Sequence, residues 1–268
     1  FANVAGHDSR FVVLTPLERS DAAPSLPSPP PRGGPAVDCL PHARQGAAAV
    51  SWNNSVLLVG GSTSPGGCLP PYTEWATVFI GTRQGGGTLA WREYTRLSSG
   101  LTHAEAVTIG DTLYVLGGFG PGPCEHSPSK GKCAHSSVWA LDLARPELPA
   151  QPRAPMAYNR SNFGVSVHGG KVYTAGGYGN YGLLGSSTGP ECVQSDVDVY
   201  DPATDKWSSL QPMTTKRGGF SLGSVGGLLF AVAGFHCANG PAHTESLSSV
   251  AAASSSSSGR GTAGVKLT

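Results

Sequence analysis

Charged residues make up only 13% of this sequence, and they nearly cancel, leaving a formal net charge of +1. That balance gives no reason to expect nucleic acid or an acidic membrane surface as a partner. Long apolar runs are missing too: SVLLVGG (55–61) falls far short of the roughly 18–20 residues a membrane span needs. The sequence has no G-x-S-x-G elbow, no H-E-x-x-H and no phosphate-cradling G-x-x-x-x-G-K. GGFGPG (117–122) contains a G-x-G, but no helical pattern follows it, so it reads as a turn. No signal peptide is visible, and the chain starts at Phe1 instead of Met, which makes it read as a fragment or a processed product.

Glycine (38 residues) and proline (22) are plentiful, and the glycines mostly form turn dipeptides between short apolar runs. That is the punctuation of an all-β protein, not of disorder. Four segments share one design: AAAVSWNNSVLLVGG (47–61), EAVTIGDTLYVLGG (105–118), FGVSVHGGKVYTAGG (163–177) and FSLGSVGGLLFAVAG (220–234). Their closing small pairs begin at Gly60, Gly117, Gly176 and Ala233, at intervals of 57, 59 and 57. Turn dipeptides at Asn53, Gly110, Gly169 and Gly226 each begin seven residues earlier, and they suit the positive φ of type I′ and II′ hairpins. A third strand follows each hairpin: EWATVFI (74–80), SSVWALDL (136–143), SDVDVYDP (195–202) and a weak SLSSVAAA (246–253). Fourth strands are clearest at LAWREY (89–94) and KWSSL (206–210). Four antiparallel strands per period of this length describe a propeller blade.

These residues resemble the kelch family, whose motif is an apolar run, a Gly-Gly doublet, then a Tyr and a Trp six residues apart. The third repeat matches throughout, with Gly176-Gly177, Tyr200 and Trp207. The first keeps Gly60-Gly61 and Trp91, the second keeps Gly117-Gly118, and the fourth has Ala233-Gly234. The resemblance covers roughly residues 42–234 and implies an all-β kelch propeller. About four to five blades are visible, which reads as part of a larger propeller, or as a small one whose N-terminal strand completes the last blade. Residues 1–41 then hold a partial N-terminal blade strand (RFVVLTPL, 10–17) and a Pro-rich linker (23–35). Residues 42–250 hold the blades, and 251–268 a Ser/Gly-rich flexible segment or a degenerate last strand.

Antiparallel order places the connection entering each blade and the loop after each small pair on one face of the disc, the face where propellers bind ligands. Arg44, Arg160 and Arg217 each lie sixteen residues before a small pair, and His103 lies fourteen before its own. Guanidinium groups at a channel mouth suit an acidic group, as the kelch resemblance implies for Arg44, Arg160 and Arg217; the alternative is that they bond neighbouring carbonyls. Tyr178 and Tyr181 read as rim aromatics suited to stacking on a peptide or a sugar.

Five of the six cysteines (Cys68, Cys124, Cys133, Cys192, Cys237, but not Cys39) fall in the loops after the small pairs. In CEHSPSKGKCAH (124–135) a disulfide from Cys124 to Cys133 is preferred over zinc on Cys124, His126, Cys133 and His135. Six cysteines and sequons at Asn53 and Asn159 favour the secretory route over the cytoplasm. The expected function is a binding module for a protein, peptide or glycan, with no cofactor and no catalytic residue. The alternative is a kelch-fold enzyme: a copper-radical oxidase resembling galactose or glyoxal oxidase, drawing on Tyr178, Tyr181, His236 and a loop cysteine, or a sugar epimerase.

Overall fold

A computed structural model describes residues 40, 42–63, 73–84, 88–122, 132–179, 193–225, 227–237, 244–246 and 250–254. The first blade runs β1 (Ala48–Trp52), β2 (Ser55–Val59), a short ribbon β3 (Ser62–Thr63) and β4 (Thr73–Glu74), then β5 (Thr77–Arg83) and β6 (Leu89–Arg96). The second has β7 (Glu105–Ile109), β8 (Thr112–Leu116), ribbon β9 (Phe119–Pro121) and β10 (Lys132–Ala134), then β11 (Val138–Asp142) and β12 (Gln151–Arg153). The third has β13 (Gly164–His168), β14 (Lys171–Ala175), β15 (Val197–Asp201) and β16 (Lys206–Ser209). The fourth has β17 (Ser221–Val225), β18 (Leu228–Val232), ribbon β19 (Phe235–Cys237) and β20 (Thr244–Ser246), then β21 (Val250–Ser254). Leaving the ribbons aside, the sheets order β1-β2-β5-β6, β12-β11-β8-β7, β13-β14-β15-β16 and β17-β18-β21, all antiparallel. No helix among the described residues is long and apolar enough to cross a membrane.

The hairpins close where the dipeptides demand it. Asn53 (φ 46°) and Asn54 (φ 58°) are both left-handed, as are Gly169 (57°) and Gly170 (74°). The innermost strands then touch in succession, β1 on β7, β7 on β13, and β13 on β17. Hydroxyl groups bridge two of these junctions: Thr108 Oγ1 donates to Ser51 O, and Ser224 Oγ to Val167 O, each at 3.0 Å.

Apolar seams hold the blades together. Trp52, Leu57, Val59 and Ile80 pack on Ala106, Leu113, Val115 and Leu141 between blades one and two. Val107, Tyr114, Leu116 and Val138 meet Phe163, Val172 and Tyr200 in the next seam, and Tyr173, Ala175 and Val197 meet Phe220, Leu229 and Ala231 in the third. Each large side chain so buried contributes roughly 1.5–3 kcal/mol. Among the described residues no such neighbour covers the fourth blade over Val225, Leu228 and Val232, which are 70%, 40% and 43% exposed. The first blade's outward face is covered, with Leu40 packed among Leu58, Phe79 and Trp91.

The small pairs have a steric reason. A Cβ on Gly60, Gly117 or Gly176 would stand 2.4–2.5 Å from the carbonyl oxygen of Leu101, Arg160 or Arg217, each in the next blade. Ala233 holds the same place in the fourth blade at φ 61°, exposed beside that blade's open face.

Two sequence expectations shift. The second blade does have a fourth strand, β12; it escaped notice because Gln151, Pro152 and Arg153 are exposed and carry no apolar alternation. Strand β21 pairs with β18 from Leu228↔Ser254 to Val232↔Val250, so residues 251–254 belong to the fourth blade. The segments 10–17 and 23–35 lie outside the described residues.

Candidate functional site

The loop face is organised by one continuous belt of backbone hydrogen bonds. Each entry segment bridges its own blade's ribbon: Gln45 with Ser62, Thr102 with Phe119, Ser161 with Tyr178, and Gly218 with Phe235. The residue leaving each ribbon then accepts from the next blade's entry: Leu101 N donates to Trp75 O, Arg160 N to His135 O, and Arg217 N to Gln194 O. Nearer the axis a second course runs through Gly46, His103, Asn162 and Gly219, all with φ between 51° and 63°. His103 N donates to Gly46 O, Asn162 N to His103 O, and Gly219 N to Asn162 O, at 2.7, 3.2 and 2.8 Å. These bonds fix the backbone from which the loops project, so the face is preorganised.

The arginines serve the scaffold. Nη1 of Arg44, Arg160 and Arg217 donates to the carbonyl of Gly60, Gly176 and Ala233, each sixteen residues on and each the first member of a small pair. Positive φ at those residues turns the carbonyl off the sheet ladder, and the guanidinium satisfies it. Arg160 also donates to Asp196 O at 3.0 Å and forms a buried ion pair with Asp198. With 0% and 2% exposure, Arg160 and Arg217 do not present their charge to a ligand, and the ligand-facing expectation gives way to the carbonyl-bonding alternative. Arg44 differs. Phe79 pairs with Leu58 where Asp198 pairs with Thr174, so Arg44 stacks over the Phe79 ring at 4.8 Å instead of meeting a carboxylate. Its Nε and Nη2 are buried without acceptors, and burial lowers its pKa to about 10 against the pull of Glu93.

His103 is the counterpart of Gly46, not of the arginines; Leu101 stands at the arginine position of the second blade and is buried in the seam. The His103 ring lies where a Cβ on Gly46 would go, with Nδ1 3.1 Å from Thr102 Oγ1, and burial lowers its pKa. Tyr178 bridges Ser161 and Val193, with its ring 5.3 Å from Phe235, and burial pushes its hydroxyl up to about 12. Tyr181, Cys124 and His126 lie outside the described residues, as does the side chain of His236.

On β10, Cys133 is buried and disulfide-bonded, so its sulfur is not a thiolate ligand and the four-residue zinc set loses a member. His135, two residues on, is held below the usual imidazole range by burial, against hydrogen bonds its ring donates to the backbone carbonyls of Gly120 and Pro121, and its Nε2 has no partner. Among the described residues no three His, Cys, Asp or Glu side chains group closely enough to hold a metal ion. The base of this loop is tied to the first blade by Lys132 Nζ, 2.8 Å from both oxygens of Glu74.

Two exposed rings on this face escaped the sequence reading. Tyr158 is 48% exposed and lies over the Arg160 guanidinium at 5.7 Å. His42 is exposed and stacks flat on Trp75, centroids 4.6 Å apart and planes 9° apart; Trp75 in turn packs on Arg44 and donates to Thr63. Both rings come two residues before an entry arginine, so the repeat spacing carried the signal.

Blades of four antiparallel strands around a common axis define a β-propeller. A family model described as the kelch motif matches residues 159–214, which run from the entry of the third blade past its last strand. The influenza virus NS1A-binding protein homolog of Mus musculus is 32% identical over 56% of this chain and 21% of its own length. The influenza virus NS1A-binding protein of Homo sapiens is 36% identical over 42% of this chain and 15% of its own length. Kelch-like protein 40 of Mus musculus is 32% identical over 47% and 17%. The chain thus spans about a fifth or less of the length of these relatives. The solved structure of YjhT aligns with a TM-score of 0.58 at 15% identity, covering 74% of this chain and 61% of that one. The third blade of this chain thus carries a kelch motif, and the chain is similar to kelch-repeat proteins over part of its length.

Proposed function

We propose that this chain is a protein-interaction module that binds its partner on the loop face, with Tyr158 and His42 as contact residues. The observation that carries this reading is the pairing of a preorganised backbone belt with rings that stay exposed over Arg160, which is buried, and Trp75, which is half-buried. A rigid aromatic ring loses little conformational entropy on contact, which is why Tyr is enriched at interface hot spots. The relatives' names agree with this reading: two are called binding proteins of a viral protein. An acidic segment as partner has little support, since the unspent donors of Arg44 are buried and its Nη1 is committed to Gly60 O. Glycan recognition has less support, since the Tyr178 ring is engaged by Phe235. A Cys124–Cys133 bond fits the same face: the Cys133 sulfur lies 3.4 Å from where a Cβ on Gly122 would stand, two residues from Cys124.

The test uses peptides selected by display on the native chain. Tyr158→Ala is expected to weaken the selected peptides at least tenfold while shifting Tm by less than about 2 °C, the mark of an exposed contact. Lys171→Ala, on the hairpin side of the third blade, is expected to leave binding unchanged. Equal binding by native and Tyr158→Ala protein would refute the assignment.

A further inference from the structure

Of the residues that form the inner course of the belt, Gly46 and Gly219 hold φ of 63° and 60° in the first and fourth blades. His103 and Asn162 hold 53° and 51° at the same place in the second and third. Glycine is the residue this left-handed backbone favours, so two side chains are kept here against a local preference, in the residue types that tolerate it best. Departures of that kind gather at ligand sites. The backbone of both residues is already spent: His103 N donates to Gly46 O, Asn162 N to His103 O, and Gly219 N to Asn162 O. A partner arriving at the channel mouth therefore cannot add a strand here and meets the side chains instead. We propose that His103 and Asn162 form a specificity pair at the mouth, which receives the carboxamide of an Asn or Gln side chain protruding from the partner. The pair deepens the loop-face reading above and rests on it.

Both residues are half-buried, and their outer polar atoms are unspent. Among the described residues no hydrogen bond reaches the Asn162 carboxamide or His103 Nε2, and neither is sealed from solvent. The bond from Asn162 N to His103 O, at 3.2 Å, makes the two neighbours around the axis. The imidazole is held in place. Its Nδ1 lies 3.1 Å from Thr102 Oγ1, which is itself 3.2 Å from Ser62 Oγ. A Cβ on Gly46 would stand 2.9 Å from both Cδ2 and Cε1 of the ring, so glycine in the first blade makes the room that the second blade's histidine occupies. A ring oriented in advance loses little freedom on binding. The ligand class follows from donors and acceptors. A carboxamide offers two donors and an acceptor, and a second carboxamide answers it with a reciprocal pair of hydrogen bonds. A carboxylate would bring acceptors only, while Arg160, two residues before Asn162, is committed to Asp198, and burial holds His103 below the usual imidazole range.

Peptides selected by display on the native chain are the probes. They are expected to share an Asn or Gln at one position, and changing that residue to Glu or Leu is expected to weaken binding about tenfold or more. Asn162→Gly installs the residue of the first and fourth blades, so Tm should hold to within about 2 °C while the same peptides weaken about tenfold. On that variant the Glu and Leu peptides should bind no worse than their parents. Asn162→Asp keeps the shape and the tolerance for left-handed backbone but loses the amide donors. It is expected to give the same loss, and it serves if the Gly variant does not fold. Selected peptides with no shared Asn or Gln would overturn the proposal. Full binding by both Asn162 variants, with Tyr158→Ala weakened, would overturn it and leave the loop-face reading standing; full binding by all three variants would overturn both. Loss in the Asn162 variants with Tyr158→Ala unchanged would support the pair and move the contact from the rim to the mouth.

Discussion

Replacing Arg160 by Ala is expected to cost the protein about 3–5 kcal/mol, enough to unfold much of it at room temperature, given a typical total of about 5–15 kcal/mol. The side chain is wholly inside the protein and serves three acceptors: Gly176 O, Asp196 O and the Asp198 carboxylate. Truncation removes the Arg160 donor from all three: Asp196 O keeps Gly176 N, but Asp198 becomes a buried charge with only Ser209 Oγ, at 2.8 Å, to hold it. The cost is the penalty of stranding that charge more than the worth of the pair, so removing both charges should hurt less. A double variant Arg160→Met with Asp198→Leu is expected to recover more than half of the loss. Arg44→Ala should cost less, about 1–3 kcal/mol, because it strands one carbonyl and no carboxylate. Urea denaturation of the four proteins gives the order directly. If Arg160→Ala proved as mild as Arg44→Ala, the buried ion pair would have little structural weight.

The fold was legible from the spacing of small pairs and turns because those positions are set by backbone sterics, which sequence records residue by residue. Gly60, Gly117 and Gly176 are small because another blade's carbonyl leaves no room, and that constraint repeats with the blade. The candidate site was only half legible. Counting sixteen residues back found Arg44, Arg160 and Arg217, but sequence cannot distinguish a guanidinium facing water from one facing carbonyls. The acceptors exist only once positive φ has turned them inward. The same count, taken two residues further, gives His42 and Tyr158, and it shows Leu101 in the arginine's place in the second blade. The carbonyl-bonding role of the arginines also changes what the loop face offers a partner. Arg160 and Arg217 keep their charge internal, and on the proposed reading contact would fall to Tyr158 over Arg160 and His42 over Trp75.

Substitutions at the small pairs should change sign with position. Gly117→Ala places a methyl 2.5 Å from Arg160 O and 3.0 Å from both Met156 and Phe163, at a φ of 57°. The left-handed backbone costs about 1–2 kcal/mol for any residue with a Cβ. Separating two blades to admit the methyl costs about 1–3 kcal/mol more, so a total loss of about 2–5 kcal/mol is expected. Ala233→Gly runs the other way. Ala233 has the same handedness at φ 61° but stands exposed, so Gly should relieve the backbone strain. Set against the greater freedom of glycine in the unfolded chain, about 0.5–1 kcal/mol, the net is a gain of up to about 1 kcal/mol. Gly110→Ala separates the two contributions, since at φ 58° nothing lies within 4 Å of the new Cβ and only the backbone cost applies. Thermal melts of the three variants should therefore rank Ala233→Gly above native, Gly110→Ala slightly below, and Gly117→Ala far below. Equal losses in Gly110→Ala and Gly117→Ala would mean that handedness alone, and not the next blade's carbonyl, keeps glycine at the head of each pair.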